Sequence, residues 1–141
     1  MLTLSQEPNN EITDSSTRKL FEGKNLAFVS TLMKDGHPHI TPTWIDIQDG
    51  HIFVNTAIGR IKQRNVSRDP RLSISIVDQN NPYDMVTVRG RVIEQITGDA
   101  ADQHVDKLAK KYLGKDKYPN RAPGEKRVIL KIKPERVFHM K

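Results

Sequence analysis

Two Asp-Gly pairs, each placed between extended apolar runs, constrain the fold of this chain more than any other feature. Asp35-Gly36 separates residues 26–32 from residues 40–47, and Asp49-Gly50 separates the latter run from residues 51–56. Asp-Gly is the strongest short signal for a β-hairpin, because both of its residues tolerate positive φ angles. The sequence therefore predicts three successive antiparallel strands, a β-meander, in this part of the chain.

Further strands are predicted in the second half of the chain. Residues 71–77 and 85–95 alternate between apolar and polar side chains, as strands with one buried face do. The apolar run at 128–132 predicts another strand, and residues 136–139 a short terminal one. Antiparallel strands joined by short turns favour a closed or nearly closed barrel, because closure removes exposed strand edges. We therefore expect a mainly β fold, a β-barrel with flanking helices.

Three helices are predicted to accompany these strands. A short helix precedes the first strand, a second short helix spans residues 59–67, and an amphipathic helix capped by Asp99 ends at Gly114. No linker is long enough to divide the chain into two domains. We expect one domain over residues 14–141, preceded by a flexible arm over residues 1–13.

Composition narrows the function classes. The chain has 141 residues, a formal net charge of +6 and no cysteine, which excludes disulfides, thiolate nucleophiles and Cys-based metal centres and agrees with a reducing compartment. No stretch approaches the ~20 apolar residues of a membrane span, and residues 1–10 do not resemble a signal peptide. We therefore expect a cytoplasmic protein with no membrane partner. The positive charge favours an anionic partner, namely nucleic acid, anionic lipid or a phosphate-carrying small molecule.

Cations are concentrated at the start of the second predicted helix. Arg60, Lys62 and Arg64 follow Gly59 closely. A helix N-terminus offers free N–H groups and a partial positive charge, so Arg60 and Lys62 beside it would form a good phosphate site. A solvated basic helix explains the same pattern. The residues alone leave both interpretations open.

Several short motifs, taken in order along the chain, resemble those of a known family. They are Ala27 to Leu32, Pro38 to Trp44, Asn55 to Lys62, Arg68 to Arg71, Val88 to Val92, and Lys110 to Gly114 followed by Tyr118-Pro119. Their order and spacing are similar to those of the pyridoxamine 5'-phosphate oxidase-like family of FMN-binding split barrels. More narrowly, they resemble the small branch of that family whose members use the deazaflavin coenzyme F420. The resemblance extends from about Leu20 to the C-terminus.

The resemblance implies a fold, an assembly and a set of cofactor-binding residues. The fold would be a six- to seven-stranded antiparallel split β-barrel, and two copies would form a homodimer with the cofactor at the subunit interface. The phosphate would bind Arg60 and Lys62, and the ring and its linker would contact residues on neighbouring strands: Thr41, Pro42, Thr43, Asn55, Thr56, Ser75, Ile76 and Val77. The resemblance adds three less central candidates: Asn65, Tyr83 and Arg91. Tyr83 and Arg91 would come from the other subunit or flank the substrate opening.

The function implied by the resemblance is that of an F420-dependent oxidoreductase acting on a small organic molecule. The cofactor carries out the redox chemistry and the protein orients it, so no dedicated acid–base pair is required. A deazaflavin has carbon in place of the reactive ring nitrogen of a flavin, which favours hydride transfer over oxygen chemistry and therefore a reductase over an oxidase. The alternatives are FMN as the cofactor, and a protein that binds F420 or haem without turnover.

Two weaker signals suggest other classes of site. A single-stranded nucleic-acid-binding barrel would pair its cations with aromatic stacking residues, but only 6% of this chain is aromatic and none of these residues lies among the strand cations. His37 and His39 are spaced for one strand face, as two metal ligands can be, but no third ligand lies near them in sequence. We therefore expect neither a nucleic-acid partner nor a metal. His39 could instead approach the substrate side of the cofactor ring, and Trp44 is expected in the core or at the dimer interface rather than on the cofactor.

Overall fold

The computed structural model describes residues 11–140, so most of the predicted N-terminal arm lies outside the described residues. Along this part of the chain, α1 is followed by four strands, α2 by two strands and α3 by one strand. The helices are α1 (Ser15–Glu22), α2 (Ile61–Arg68) and α3 (Asp99–Leu113). The strands are β1 (Ala27–Leu32), β2 (Pro38–Thr43), β3 (Asp46–Gln48), β4 (His51–Ala57), β5 (Arg71–Asp78), β6 (Asn81–Thr97) and β7 (Arg127–Met140).

All seven strands belong to one antiparallel sheet, in the order β2-β1-β5-β6-β7-β4-β3. The long strands β6 and β7 pair with each other along most of their length, while β5 pairs with the first half of β6 and β4 with the first half of β7. The register between β6 and β7 shifts at Gly90, where a Cβ would lie 2.7 Å from the backbone oxygen of Lys133. Only glycine permits this close approach. The mainly β fold with flanking helices is confirmed.

Apolar side chains from one face of the sheet form the core. Val29, Ile76, Val88 and Leu130, which come from four different strands, are each fully buried. Phe21 of α1 is also fully buried and packs in the same core. The alternation seen in the sequence of β5 thus corresponds to one buried face and one exposed face. None of the helices in the described part of the chain is long and apolar enough to span a bilayer.

The predicted meander is wrong, because the run at 40–47 forms two strands. β2 pairs with β1 and β3 pairs with β4, so the described chain has two hairpins here. The break lies at Ile45, whose N–H donates to the Tyr112 hydroxyl (3.1 Å) and whose carbonyl accepts from Lys111 Nζ (2.8 Å). The N–H and carbonyl of Ile45 therefore bond to side chains of α3 instead of pairing with a neighbouring strand, as they would in a continuous strand.

Candidate functional site

A groove of about 530 Å³ lies where β2, the end of β4 and the start of α2 meet. We call it the cation groove. Most of the residues predicted to bind the cofactor line it: Thr41, Pro42, Thr43, Asn55, Thr56, Arg60 and Lys62. Three further residues that were not among those predictions complete it: His39, Gly59 and Ile61. The fold thus brings together three segments whose proximity could be expected only from the family resemblance.

The start of α2 is open toward a ligand. Gly59 has a φ of +91°, which turns the chain out of β4 at little steric cost. Arg60 is the N-cap residue, and no side chain caps the helix. The N–H groups of the first helical turn are therefore not satisfied by a capping side chain. Ile61 and Lys62, the first two residues of the helix, both line the groove.

The two cations of the groove have different environments. Arg60 is about half exposed, and its Nη2 lies 3.6 Å from Glu125 Oε1. Burial lowers the pKa of Lys62, and the positive charges of Arg60 and Arg127 lower that pKa further. No described residue forms a hydrogen bond or an ion pair with the Lys62 ammonium. A bound anion would relieve both the burial cost and the repulsion.

Two buried polar atoms in the same groove have no hydrogen-bond partner. They are His39 Nδ1 and Thr41 Oγ1, and they are the only such side-chain atoms among residues 11–140. Residues two apart on a strand point to the same face, so both side chains face the groove from β2. A buried polar atom without a partner costs about 1–3 kcal/mol. A ligand with polar ring atoms could form hydrogen bonds with these two atoms and so remove this cost.

Behind the groove, Asn55 belongs to a buried hydrogen-bond network. Its Nδ2 donates to the Ala101 carbonyl (3.0 Å), and its Oδ1 accepts from Arg127 Nε (2.9 Å). The same Nδ2 lies 3.1 Å from His104 Nδ1, and His104 Nε2 lies 3.0 Å from Asp46 Oδ2. The polar side-chain atoms of Asn55 are therefore engaged inside the protein. Its contribution to the site is to hold β4, α3 and β7 together.

This network determines the proton position on His104. Arg127 Nε can only donate and the Ala101 carbonyl can only accept, so the orientation of the Asn55 amide is fixed. Its NH₂ group faces His104 Nδ1, which must accept, and the His104 proton is on Nε2 and is donated to Asp46. Burial alone would raise the pKa of Asp46, but the hydrogen bonds from His104 and Gln48 and the charge of Lys107 bring that pKa well below its usual value.

Glu125 connects this network with the cation groove. Its carboxylate pairs with Arg127 Nη1 and lies near Arg60. Burial would raise the pKa of Glu125, but the Ala122 N–H and the two guanidinium groups lower it below its usual value. Glu125 is thus ionised at neutral pH and fixes the positions of two arginines.

Sequence reasoning missed Asp46, His104, Glu125 and Arg127. Two of these residues have a sequence feature that could have identified them. Asp46 is a charge inside an apolar run, and His104 lies on the apolar stripe of α3, between Ala101 and Leu108. Glu125 and Arg127 have none: they pair with each other, but Arg60 and Asn55, which connect them with the groove, are distant in sequence.

A second groove, of about 280 Å³, adjoins the first. We call it the aromatic groove. It shares four residues with the cation groove, namely Pro42, Thr43, Asn55 and Arg60. Its remaining walls are mostly apolar or aromatic: Leu26, Trp44, Val105, Leu108, Tyr118, Asn120 and Arg127. The two grooves therefore form one continuous concave surface.

The other predicted site residues lie away from both grooves. Asn65 is buried on the inner side of α2, where it donates to Thr31 Oγ1 (3.0 Å) and accepts from Arg68 (2.8 Å). The three candidates of β5 lie two strands from β2 in the sheet, with Ile76 in the core and its two neighbours partly exposed: Ser75, Ile76 and Val77. Tyr83 is 64% exposed, and Arg91 lies 3.6 Å from Glu135. Their roles in binding stay predictions.

The two histidines that suggested a metal are in different environments. His37 precedes β2 and is exposed, whereas His39 lies in the cation groove. Among residues 11–140, no group of three or more His, Asp or Glu side chains is placed to hold a metal ion. In the cation groove, the positive side chains of Arg60 and Lys62 suit an anionic group.

Comparison with known proteins gives a family and a fold. The sequence model of the pyridoxamine 5'-phosphate oxidase family matches residues 13–141. A search of curated proteins found no match. Among solved structures, an F420 reductase is 24% identical with a TM-score of 0.76, and the alignment covers 89% of this chain and 98% of that one.

Two other solved structures have the same fold. A conserved hypothetical protein from Mycobacterium tuberculosis is 21% identical with a TM-score of 0.68, over 94% of this chain and 88% of its own. HupZ from Group A Streptococcus is 19% identical with a TM-score of 0.66, over 91% of this chain and 94% of its own. At these identities the likeness shows the fold alone.

Proposed function

The chain belongs to the pyridoxamine 5'-phosphate oxidase family, and from this membership we propose that it is an F420-dependent oxidoreductase that reduces a small organic molecule. The family supports an oxidoreductase of the flavin type, and the structural neighbour named F420 reductase supports the choice of a deazaflavin. FMN is the second candidate cofactor. When bound, the cofactor would supply hydride chemistry, and the protein would supply binding and orientation.

The observation that carries this proposal is the set of unsatisfied polar groups in the cation groove. Lys62 has no counter-ion among the described residues, and His39 Nδ1 and Thr41 Oγ1 have no hydrogen-bond partner. A phosphate would place negative charge beside Lys62 and Arg60, at the uncapped end of α2. A heterocyclic ring with carbonyl and N–H groups would offer partners to the imidazole and the hydroxyl. A ligand with both parts fits the residues of the groove.

We also propose that two copies of the chain form the homodimer that the resemblance implies, with the cofactor at their interface. Phe28 of β1 and Ile40 of β2 are 42% and 61% exposed on neighbouring strands. Both lie on the face of the sheet opposite to the core, on the same side as Pro42. Large apolar side chains exposed together on a sheet often mark an interface. Pro42 also lines both grooves, so this face borders the site.

The proposed cofactor is tested by titrating the purified, cofactor-free protein with F420 and, separately, with FMN. Cofactor fluorescence at constant salt measures the dissociation constant. Tight binding of F420 with weaker binding of FMN supports the proposal. Preference for FMN would assign the protein to the flavin-dependent branch, and binding of neither cofactor would reject the proposal.

A pair of double variants tests the phosphate site. Arg60→Ala with Lys62→Ala should weaken cofactor binding at least ~100-fold, because two charge-assisted contacts are lost. Arg64→Ala with Lys110→Ala removes the same net charge from exposed positions outside both grooves, and should leave the dissociation constant within about three-fold of the wild-type value. Equal effects of the two double variants would show that the positive charge acts non-specifically.

A further inference from the structure

The aromatic groove has rigid walls and is separate from the unsatisfied groups of the cation groove. Trp44 stacks on Tyr112 with ring centroids 5.4 Å apart and an interplanar angle of 5°. The Tyr112 hydroxyl donates to the Asn25 carbonyl (2.7 Å) and accepts from the Ile45 N–H (3.1 Å), which fixes the ring behind Trp44. The groove wall is therefore held in place before any ligand binds.

The second aromatic wall is also held in place. The Tyr118 ring meets Trp44 edge-on, with centroids 5.9 Å apart, and its backbone N–H donates to Asp106 Oδ1 (2.8 Å). Leu26, at 48% exposure, adds an apolar side chain that lies open to solvent beside these rings. Flat apolar surfaces of this kind bind flat apolar ligands, because both stacking and burial of apolar area favour them.

The Nη2 group of Arg127, a residue that lines the groove, is an unused hydrogen-bond donor. Arg127 donates through Nε to Asn55 and through Nη1 to Glu125, and its guanidinium lies 5.1 Å from the centroid of the Tyr118 ring. Among the described residues none accepts a hydrogen bond from its Nη2. The walls around this donor are mostly apolar or aromatic, so an uncharged acceptor oxygen suits it better than a carboxylate, whose burial beside Leu26 and Leu108 would cost its desolvation.

We propose that the aromatic groove is a binding site for a flat, uncharged ring compound that carries an acceptor oxygen, packed against the parts of Trp44 and Tyr118 that line the groove and hydrogen-bonded to Arg127. The site is the substrate pocket of the oxidoreductase, and in this respect the proposal rests on the proposed function. Its position supports this role, since the groove shares Pro42, Thr43, Asn55 and Arg60 with the cation groove. A compound bound here would lie beside whatever occupies the cation groove.

The sole tryptophan of the chain gives a direct readout, because Trp44 itself forms a wall of the groove. The probes are 2-acetonaphthone, which has a flat ring and a ketone oxygen, and 2-ethylnaphthalene, which lacks the oxygen. The ketone should quench Trp44 fluorescence saturably and bind about ten-fold more tightly than the hydrocarbon, which corresponds to one hydrogen bond. Equal affinity of the two probes, or no saturable quenching, would overturn the proposal.

A matched pair of variants locates the probe. Leu26→Glu places a carboxylate at the apolar wall and should weaken ketone binding about ten-fold or more. Leu113→Glu makes the same change at the end of α3, at 47% exposure and outside both grooves, and should have no effect. If Leu26→Glu binds the ketone as the wild-type protein does, the groove is not its site.

A final titration separates this proposal from that of the cofactor. The ketone is added to protein saturated with the cofactor that binds, and ligand-observed NMR follows it, because the cofactor absorbs tryptophan emission. Binding that persists supports two adjacent sites, whereas displacement of the ketone would show that the cofactor itself fills the aromatic groove and would overturn the proposal. If neither F420 nor FMN binds but the ketone does, the groove stands as a ligand site and the proposed function fails.

Discussion

His104 Nε2 lies 3.0 Å from Asp46 Oδ2, and both side chains are largely buried. This pair joins α3 to β3, while the other ring nitrogen of His104 joins α3 to Asn55 of β4. A buried charge is tolerated only when it is paired and hydrogen-bonded, and removing one partner costs more than the pair contributes. The network that supports the grooves should therefore be sensitive to substitution at either residue.

Asp46→Asn should lower the free energy of unfolding at neutral pH by about 2 kcal/mol, through loss of charge-assisted hydrogen bonds. The pKa of Asp46 in the folded protein is below its unfolded value, which is about 3.9. Its stabilisation is thus present above that value and is lost as the pH falls further. Urea unfolding at pH values between about 3 and 7 measures both effects, because the variant should lose less stability on acidification than the wild-type protein.

Asp116→Asn provides the control for this prediction. Asp116 pairs with Lys110, but its side chain is 89% exposed, so its removal should change stability by less than about 1 kcal/mol. Parallel acid curves for wild-type protein and Asp46→Asn would contradict the prediction.

Local sequence chemistry accounts for much of the fold. The Asp-Gly turns and the period-two alternation predict strands where the structure has them. Arg60 and Lys62, the cations after Gly59, line the cation groove, and their role in phosphate binding stays a prediction. The break at Ile45 is not readable from its neighbours, because it depends on Lys111 and Tyr112, 66 and 67 residues away. The place of His39 in the site also depends on residues distant in sequence. His39 lines the cation groove because the end of β4 and the start of α2 lie beside β2.

Thr41→Val should affect stability and binding in opposite directions. The hydroxyl that it removes is buried without a partner, so the cofactor-free protein should be unchanged or more stable by up to about 1 kcal/mol. Cofactor binding should weaken about ten-fold, because a hydrogen bond to the ligand is lost. Thermal unfolding without cofactor and fluorescence titration with it measure the two effects.

Thr87→Val is the matched change at an exposed position of β6 outside both grooves, and it should leave binding unaltered. Weaker stability together with unchanged affinity for Thr41→Val would show that the hydroxyl has a structural role and does not contact the cofactor.

Lys111 should make the folded protein more stable as the pH rises from about 8 to 10. Burial lowers its pKa to about 8, whereas a lysine in the unfolded chain titrates near 10.4. Between these values the unfolded chain binds more protons, so the free energy of unfolding increases with pH. The raised pKa of Tyr112, about 12, acts in the opposite direction only above the ordinary tyrosine pKa of about 10.

Lys111→Met should flatten this rise, and Lys110→Met, at a neighbouring position with a 66% exposed side chain, should not. Urea unfolding of the three proteins at several pH values in this window measures the slopes. The same slope in wild-type protein and Lys111→Met would show that the Lys111 ammonium stays charged in its position between the Phe21 and Ile45 carbonyls.

The exposed apolar face of β1 and β2 predicts that Ile40→Glu weakens self-association. Ile40 is 61% exposed, so the substitution should not disturb the core, but a carboxylate buried in an interface without a partner would cost several kcal/mol. Sedimentation velocity over a range of concentrations should show a dimer for the wild-type protein and a larger monomer fraction for the variant. Ile93→Glu, at 47% exposure and at the second register shift between β6 and β7, is the control and should remain dimeric.

Because the cofactor is proposed to lie between subunits, Ile40→Glu should also weaken cofactor binding at protein concentrations where the monomer dominates, and high protein concentration should restore it. A monomeric wild-type protein that binds cofactor with full affinity would rule out the shared site.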